Sequence, residues 1–297
     1  QVDLEAAATR AKEHAEELDA AAKESAALEA IAWFKLGTSM REEASTFLVN
    51  GVRHSIQQCY ENALKLDPEY VDALYNLGTV LVSRSSSRMK KEKLRGVEYF
   101  VKALECNPEY ADAWFSLGTN LCEGETIAFN GTHFTPQQCF EETIKTNPND
   151  NRAWVNYANR MAPFDVLTLY DIDYDKKACY EEALMINDQD VVAWINLACN
   201  MEPDDITGVL HGSTYSQIQC FLQALILQPE AAWMWERLGV ALAPDETVKF
   251  QDAELTQQEC FAKTVTLDPY HTTAWKRLAS TVEAGTHVFV GRTELAR

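Results

Sequence analysis

The sequence has no uninterrupted apolar run of about eighteen residues, so it offers no candidate membrane span. Basic residues are scarce: 26 Lys and Arg stand against 45 Asp and Glu, a net charge of −19. Nucleic-acid binders carry a basic stripe that neutralises phosphates, so this balance argues against such a partner. No C-x-x-C or H-x-x-x-H pair occurs, which leaves structural zinc without ligand spacing. No nucleophile motif, phosphate-binding loop or metal triad stands out, so the chain reads as non-enzymatic and without a cofactor. Residues 1–30 lack the basic-then-apolar order of a secretory signal. They are rich in Ala, Glu and Lys, strong helix formers, and read as an N-terminal helical cap of one or two helices.

Cysteine is present but not in a bridging pattern. Of eight, Cys59, Cys139, Cys179, Cys220 and Cys260 recur at equivalent places, 80, 40, 41 and 40 residues apart. Equivalent helices in a stack lie about 8–10 Å apart, whereas a disulfide needs Cα atoms within about 7 Å. These five are expected to be small buried thiols, which suits a reducing compartment and a cytoplasmic location.

What the sequence does have is a phrase that returns. AWFSLG at Ala113 recurs as AWFKLG at Ala32, ALYNLG at Ala73, AWVNYA at Ala153 and AWINLA at Ala193. MWERLG at Met234 and AWKRLA at Ala274 complete the set. The lead residues Trp33, Leu74, Trp114, Trp154, Trp194, Trp235 and Trp275 are spaced 41, 40, 40, 40, 41 and 40 residues apart. A fixed period of this size signals stacked repeats. Each phrase predicts a helix, here helix A; in residues 71–82 Leu74, Leu77 and Leu81 fall on one face. Four residues after the lead stands Gly37, Gly78, Gly118 or Gly239, or else Ala158, Ala198 or Ala279. Only tiny side chains occur there, which suggests a second helix backbone pressing close.

A second helix, B, carries Tyr60, Phe100, Phe140, Tyr180, Phe221 or Phe261, each three residues before a small or β-branched residue. Pro68, Pro108, Pro148, Pro229 and Pro269 end it. Ser55, Thr135, Ser216 and Thr256 precede Gln58, Gln138, Gln219 and Glu259 at capping-box spacing, and Asp175 holds the same place in the fourth repeat. These residues resemble the tetratricopeptide (TPR) family. Its order of Trp, Leu-Gly, aromatic, Ala and Pro is met by Trp114, Leu117, Gly118, Phe140, Thr143 and Pro148. The resemblance covers about residues 31–297, seven units with the last incomplete. It implies a mainly α fold, a right-handed α-α superhelix, and a scaffold or adaptor that binds a peptide or protein. Because the chain stops inside the seventh unit, it is expected to be part of a longer array or to have that end covered.

The units exceed the usual length of about 34 residues, and the surplus lies between A and B. It reads TFLVNGVRHS, TIAFNGTHFT, ITGVLHGSTYS, TVKFQDAELT and HVFVGRTELA, with Asn50-Gly51 and Asn130-Gly131 as hairpin signals. Two strands at about 4.8 Å each nearly match a helix layer, so hairpins are expected along one edge and can join into a sheet. The turn signal at Asn130-Gly131-Thr132 also explains that sequon without glycosylation. The second unit departs with Ser83 to Arg95, where Arg84, Arg88, Lys90, Lys91, Lys93 and Arg95 face only Glu92. That stretch reads as a solvated loop entering a longer helix, or else as a docking segment. Asp171, Asp173, Asp175 and Glu182 imitate a calcium loop, but Lys176 stands where that loop needs Gly.

In the family the A helices line a concave groove, and Asn side chains there grip a bound peptide's backbone. By position, Asn76, Asn156, Asn159 and Asn196 match that role, and Thr79 shares their stripe. Arg237, Lys276 and Arg277 could take a carboxylate. Trp233, two before Trp235, either faces the groove as an anchor or packs on the next repeat. His54 and His133 read as surface groups of hairpins. Two other readings are open to helical repeats. Prenyltransferase α-subunits, which NPEYADAW resembles, want Arg three after Trp, where Leu117, Tyr157 and Leu197 stand. RNA-processing repeats are disfavoured by the charge.

Overall fold

The computed structural model describes residues 2–40, 46–84, 90–281, 287–290 and 293–296. It is mainly helical, and the helices follow the forty-residue period. The A helices are α1 (Val2–Ser39), α3 (Val71–Ser83), α5 (Ala111–Asn120), α7 (Asn151–Arg160), α9 (Val191–Cys199), α11 (Ala232–Ala241) and α13 (Thr272–Thr281). The B helices are α2 (Ile56–Leu66), α4 (Lys90–Cys106), α6 (Pro136–Thr146), α8 (Lys176–Ile186), α10 (Gln217–Leu227) and α12 (Gln257–Leu267). The N-terminal stretch and the first A helix are one continuous helix, α1, with no break at residue 30. Among the described residues no helix is long and apolar enough to cross a membrane.

The chain divides into two compact units, residues 1–146 and 147–297. In the first, α1 to α6 pack in chain order, with α3 also touching α5. In the second, α7 to α13 do the same, with α7 touching α9. Joints between successive repeats differ in chemistry. In the first unit they are aromatic: Phe34 meets Tyr70 at 5.0 Å and Tyr75 meets Tyr110 at 5.3 Å between ring centroids. Tyr110 also donates its hydroxyl to Asp72 Oδ1 at 2.9 Å; burial first, then this carboxylate, hold its pKa well above the usual range. In the second unit the joints are polar, as where Asn151 Nδ2 donates to Asp190 Oδ2 at 2.8 Å.

In four repeats the A and B helices approach most closely at a glycine of helix A. A Cβ added at Gly37, Gly118 or Gly239 would lie 2.7–2.8 Å from the ring of Tyr60, Phe140 or Phe261 respectively. The expectation of a pressing backbone is therefore corrected: the ring of helix B occupies the space. Only Gly78 meets both, the Phe100 ring at 2.7 Å and the Gly96 carbonyl at 2.9 Å. Three residues after each ring, Ala63, Ala103, Thr143, Ala183, Ala224 and Thr264 are wholly buried.

The lead Trp is fastened at its polar end. The indole N–H of Trp114, Trp154, Trp194, Trp235 and Trp275 donates to the carbonyl six residues earlier, at 2.7–2.9 Å. Helix B starts with the expected caps. Ser55, Ser216 and Thr256 form complete capping boxes, Thr135 makes both bonds with Gln138, and Asp175 accepts from the Ala178 N–H. α4 begins at Lys90 and runs 17 residues against 11 for other B helices, the longer helix expected of the basic segment. Residues 85–89 of that segment, Arg88 among them, lie outside the described residues.

The insertions form antiparallel hairpins: β1 (Thr46–Val49) with β2 (Val52–Ser55), and β3 (Ile127–Phe129) with β4 (Thr132–Phe134). β5 (Leu167–Leu169) pairs with β6 (Ile172–Tyr174), and β7 (Thr247–Phe250) with β8 (Ala253–Thr256). β9 (His287–Val290) pairs with β10 (Thr293–Ala296), while residues 206–216 make only isolated bridges. Asn50-Gly51 and Asn130-Gly131 take positive φ at both turn positions, as a two-residue hairpin turn requires. Tyr170 and Asp171 do so as well, at 53° and 64°, without glycine.

Among the described residues the hairpins do not join, and every sheet has two strands. The reason lies beneath them. In four repeats the residue just before the B-helix cap sets its ring on the lead Trp of its own repeat, His54 on Trp33, Phe134 on Trp114, Tyr174 on Trp154 and Tyr215 on Trp194, at 4.9–5.1 Å. On Trp235 the ring is that of Phe250 of β7, at 5.2 Å. Each hairpin is thus positioned by its own helix pair and not by a neighbour's edge. His54 is accordingly half-buried, not a surface group. A second device launches the insertions. Glu125, Asp165, Asp205 and Glu246, eleven residues after their lead Trp, accept from the backbone N–H three residues back and return a backbone bond to the same residue.

The five recurrent cysteines are buried and all eight are free thiols. Burial pushes Cys139, Cys179, Cys220 and Cys260 up to about 12. Thiolate at pH 8 is then about one part in ten thousand. In the native protein only the exposed Cys106, Cys122 and Cys199 should react promptly with a chromogenic thiol reagent, the buried five reacting on unfolding. Phe140→Ala should cost about 3–5 kcal/mol in a urea titration, because its ring fills the seat above Gly118 and cannot be replaced by collapse. Glu125→Ala, which removes one charge-assisted bond to the Cys122 N–H, should cost only about 1–2 kcal/mol.

Candidate functional site

Turning the lead Trp, Leu and Gly inward leaves positions two and five after the lead on the opposite side of each A helix. In the first unit Asn76 is half-buried and donates Nδ2 to the Asp72 carbonyl at 2.7 Å. Its Oδ1 is the end left toward the surface. Thr79 is exposed and its hydroxyl donates to its own helix, to the Tyr75 carbonyl at 3.1 Å.

The second unit brings more of the candidates together. Asn156 repeats the Asn76 arrangement, donating to the Arg152 carbonyl at 2.8 Å. Asn159, five after Trp154, meets Asn196, two after Trp194: Asn196 Nδ2 donates to Asn159 Oδ1 at 2.8 Å. The buried Tyr180 of α8 donates its hydroxyl to the same oxygen at 2.7 Å. Two donors on one oxygen settle which way the Asn159 amide points. Asn159 Nδ2 and Asn196 Oδ1 are then a donor and an acceptor held side by side on the face of α7 and α9.

The same five-to-two relation repeats one helix on. Cys199 stands five after Trp194 and Arg237 two after Trp235. Burial raises the Cys199 thiol pKa, and the nearby Arg237 guanidinium opposes that rise, so the two groups are neighbours. Arg237 is exposed. Trp233 is 46% exposed, and Val192, the residue equivalent to it on α9, is exposed too. Trp233 thus takes the outward of its two expected positions, and Val192 is a neighbour of like character that sequence reasoning passed over. The signal was available, two residues before each lead.

The basic candidates on α13 part company. Lys276 is exposed. Arg277 already holds a carboxylate, Glu236 of α11, with Nε at 3.3 Å from Oε1. Glu236 also accepts from the Thr273 hydroxyl at 2.8 Å and lies 3.5 Å from His271 Nε2. Arg277 therefore serves a joint between α11 and α13, and an incoming carboxylate would have to compete with Glu236. The acidic residues that imitated a calcium loop are used locally. Asp173 Oδ1 accepts from the Thr168 hydroxyl at 2.7 Å and Asp175 caps α8.

Comparison with known proteins agrees with this architecture. The sequence model of the TPR repeat matches residues 58–83, most of α2 and all of α3. A solved structure of YrrB, described as a TPR protein with an unusual peptide-binding site, is similar at a TM-score of 0.50 and 15% identity. The similarity covers 76% of this chain and 100% of that one. A search of curated proteins finds no match. With the helix pair, its small-residue seat and its sequence pattern all in place, the chain has a tetratricopeptide-repeat-like fold, matched in sequence by the repeat model at residues 58–83, with units lengthened by a hairpin between the two helices.

Proposed function

We propose that the chain is a non-enzymatic interaction module that binds an extended peptide segment of a protein partner along the A-helix face of residues 147–297. The observation that carries this reading is the oriented amide pair. Asn159 and Asn196 present a fixed donor and a fixed acceptor at neighbouring points, and an extended backbone offers the complementary acceptor and donor. Asn156 adds a further acceptor, and within residues 1–146 Asn76 and Thr79 hold the equivalent places on α3. Trp233 supplies an aromatic anchor of the kind that dominates binding energy. Arg237 and Lys276, both exposed, favour an acidic group on the peptide. The similar YrrB is described as having a peptide-binding site, which supports the reading by analogy of fold. The net charge of −19 disfavours nucleic acid as partner, and the free thiols suit the cytoplasm.

The test compares the native chain with an Asn156→Ala/Asn196→Ala variant in affinity capture from lysate, followed by titration of each captured partner. Both substitutions spare Asn159, whose oxygen is needed by the buried Tyr180 hydroxyl, so the variant should melt like the parent. Binding should weaken at least about tenfold, the equivalent of one or two lost hydrogen bonds to a peptide. A Trp233→Ala variant should weaken it further. Partners retained at full affinity by both variants would remove the A-helix face from consideration.

A further inference from the structure

A second strip of surface runs along the outer faces of α10 and α12. Hairpin β7–β8 stands between two cavities of about 840 and 400 Å³. Their B-helix walls are built from equivalent residues forty apart: Gln219 and Glu259, Gln223 and Lys263, Ile226 and Thr266. The strip is a product of the repeat itself. Each insertion leans on its own lead Trp and also reaches back over the preceding B helix. Lys177 Nζ donates to the Ile206 carbonyl at 2.6 Å and the Gly208 N–H to Glu181 Oε1 at 2.9 Å, which pins residues 206–216 onto α8. A trough is left between each insertion and the next.

The chemistry of the strip is two-sided. Its walls carry rings and aliphatic groups, Trp235, Phe250, Tyr215 and Leu222. Ile226 on α10, which lines the smaller cavity, is exposed. An apolar surface of this kind, left open on a chain so rich in charge, is where a partner is expected. The charge around it says which partner. The insertions at 161–175, 201–216 and 242–256 hold eleven Asp and Glu against one Lys. The hairpin insertions of the first unit are less acidic: residues 41–55 hold two Glu and two Arg, and residues 121–135 two Glu. The Trp235 ring is buried and already holds one ammonium, Lys263 Nζ at 6.0 Å from its centroid, so an incoming cation is left to the carboxylates.

We propose that this strip, centred on hairpin β7–β8, binds an extended basic segment of a protein in which Lys or Arg alternate with aliphatic residues. The aliphatic side chains enter the two cavities and the basic ones meet the carboxylates of Asp252, Glu230 and Glu254. Alternation follows from geometry, since successive side chains of an extended chain point to opposite sides. This surface is separate from the A-helix face and does not depend on it. A second copy of this chain is disfavoured by its like charge.

The experiment uses the full chain and a fluorescent peptide of about twelve alternating Leu and Lys residues, long enough when extended to cross both cavities. The probe's counterpart alternates Leu and Glu. Anisotropy titration should give saturable binding of the Leu–Lys peptide that weakens at least about tenfold between roughly 50 and 500 mM salt. Both peptides are also titrated with the Asn156→Ala/Asn196→Ala variant, whose A-helix face is disabled; there the Leu–Glu peptide should not bind, and it is there that the two peptides are compared. Asp252→Lys/Ile226→Lys should weaken the Leu–Lys peptide about tenfold or more, by losing one attraction and one apolar contact, while Asn156→Ala/Asn196→Ala should leave it unchanged. Hydrogen exchange should slow in α10, α12 and β7–β8. If the double variant melts early, Ile226→Lys alone, at an exposed helix position, decides. The proposal is overturned by no saturable binding, by equal binding of both peptides or by indifference to the strip variants. It is equally overturned by protection on α9 and α11 instead, or by a dimer that the strip variants abolish in the absence of peptide binding.

Discussion

Each helix pair rests on a ring set against a residue that has almost no side chain. The rings of Tyr60, Phe100, Phe140 and Phe261 fill the volume a Cβ would need at Gly37, Gly78, Gly118 and Gly239. A glycine inside a helix costs about 1 kcal/mol against alanine, whereas burying an aromatic side chain returns about 1.5–3 kcal/mol. The exchange favours the ring, and it fixes how closely A and B approach. Where alanine takes the glycine's place, at Ala158 and Ala198, it is wholly buried, and the opposing Tyr180 and Phe221 are buried with it. Repeating this seat every forty residues makes, within each of the two units, a stack in which a layer is positioned by its predecessor.

The lead Trp converts that stack into a carrier of two different surfaces. Its indole N–H is satisfied by the carbonyl six residues earlier, so the ring can be buried without an unpaired donor. Its outer edge then receives the hairpin's aromatic, which fixes the insertion on its own repeat. The A-helix face is consequently free of the insertions, and the insertions are free to build a second relief over the B helices. Polar joints such as Asn151 with Asp190, and Glu236 with Thr273 and Arg277, hold successive A helices in the second unit. These bonds set the spacing of the amides and cations that the A helices display.

Much of this was legible in the sequence. The forty-residue recurrence located the helix pairs, and Ser55, Ser216 and Thr256 with their partners three residues on marked where B helices start. Asn50-Gly51 and Asn130-Gly131 marked turns. Such features are local: a cap, a turn or an amphipathic face is decided by residues within one helical turn or two, and spacing alone reveals it. The launching turns built on Glu125, Asp165, Asp205 and Glu246 are just as local, and their regular place eleven residues after the lead was a readable signal. The stripe of outward positions likewise placed Asn156, Asn159, Asn196 and Trp233 where they are.

Other outcomes were decided by groups far apart in the chain. That Phe140, and not a helix backbone, presses on Gly118 depends on a residue 22 positions away. Asn159 is oriented by Tyr180 and Asn196 together, and Arg277 is engaged by Glu236, none of which follows from the spacing around any one of them. The hairpins stay apart for the same kind of reason. Strand spacing permitted them to join, but the aromatic grip of each lead Trp on its own insertion outweighs an edge-to-edge pairing of three or four residues. The sequence by itself determined the period, the helix pairs and their ends, because those are short-range. Tertiary structure alone decided which side chains are spent on joints and which face outward, because that is settled by partners brought near only when the repeats stack.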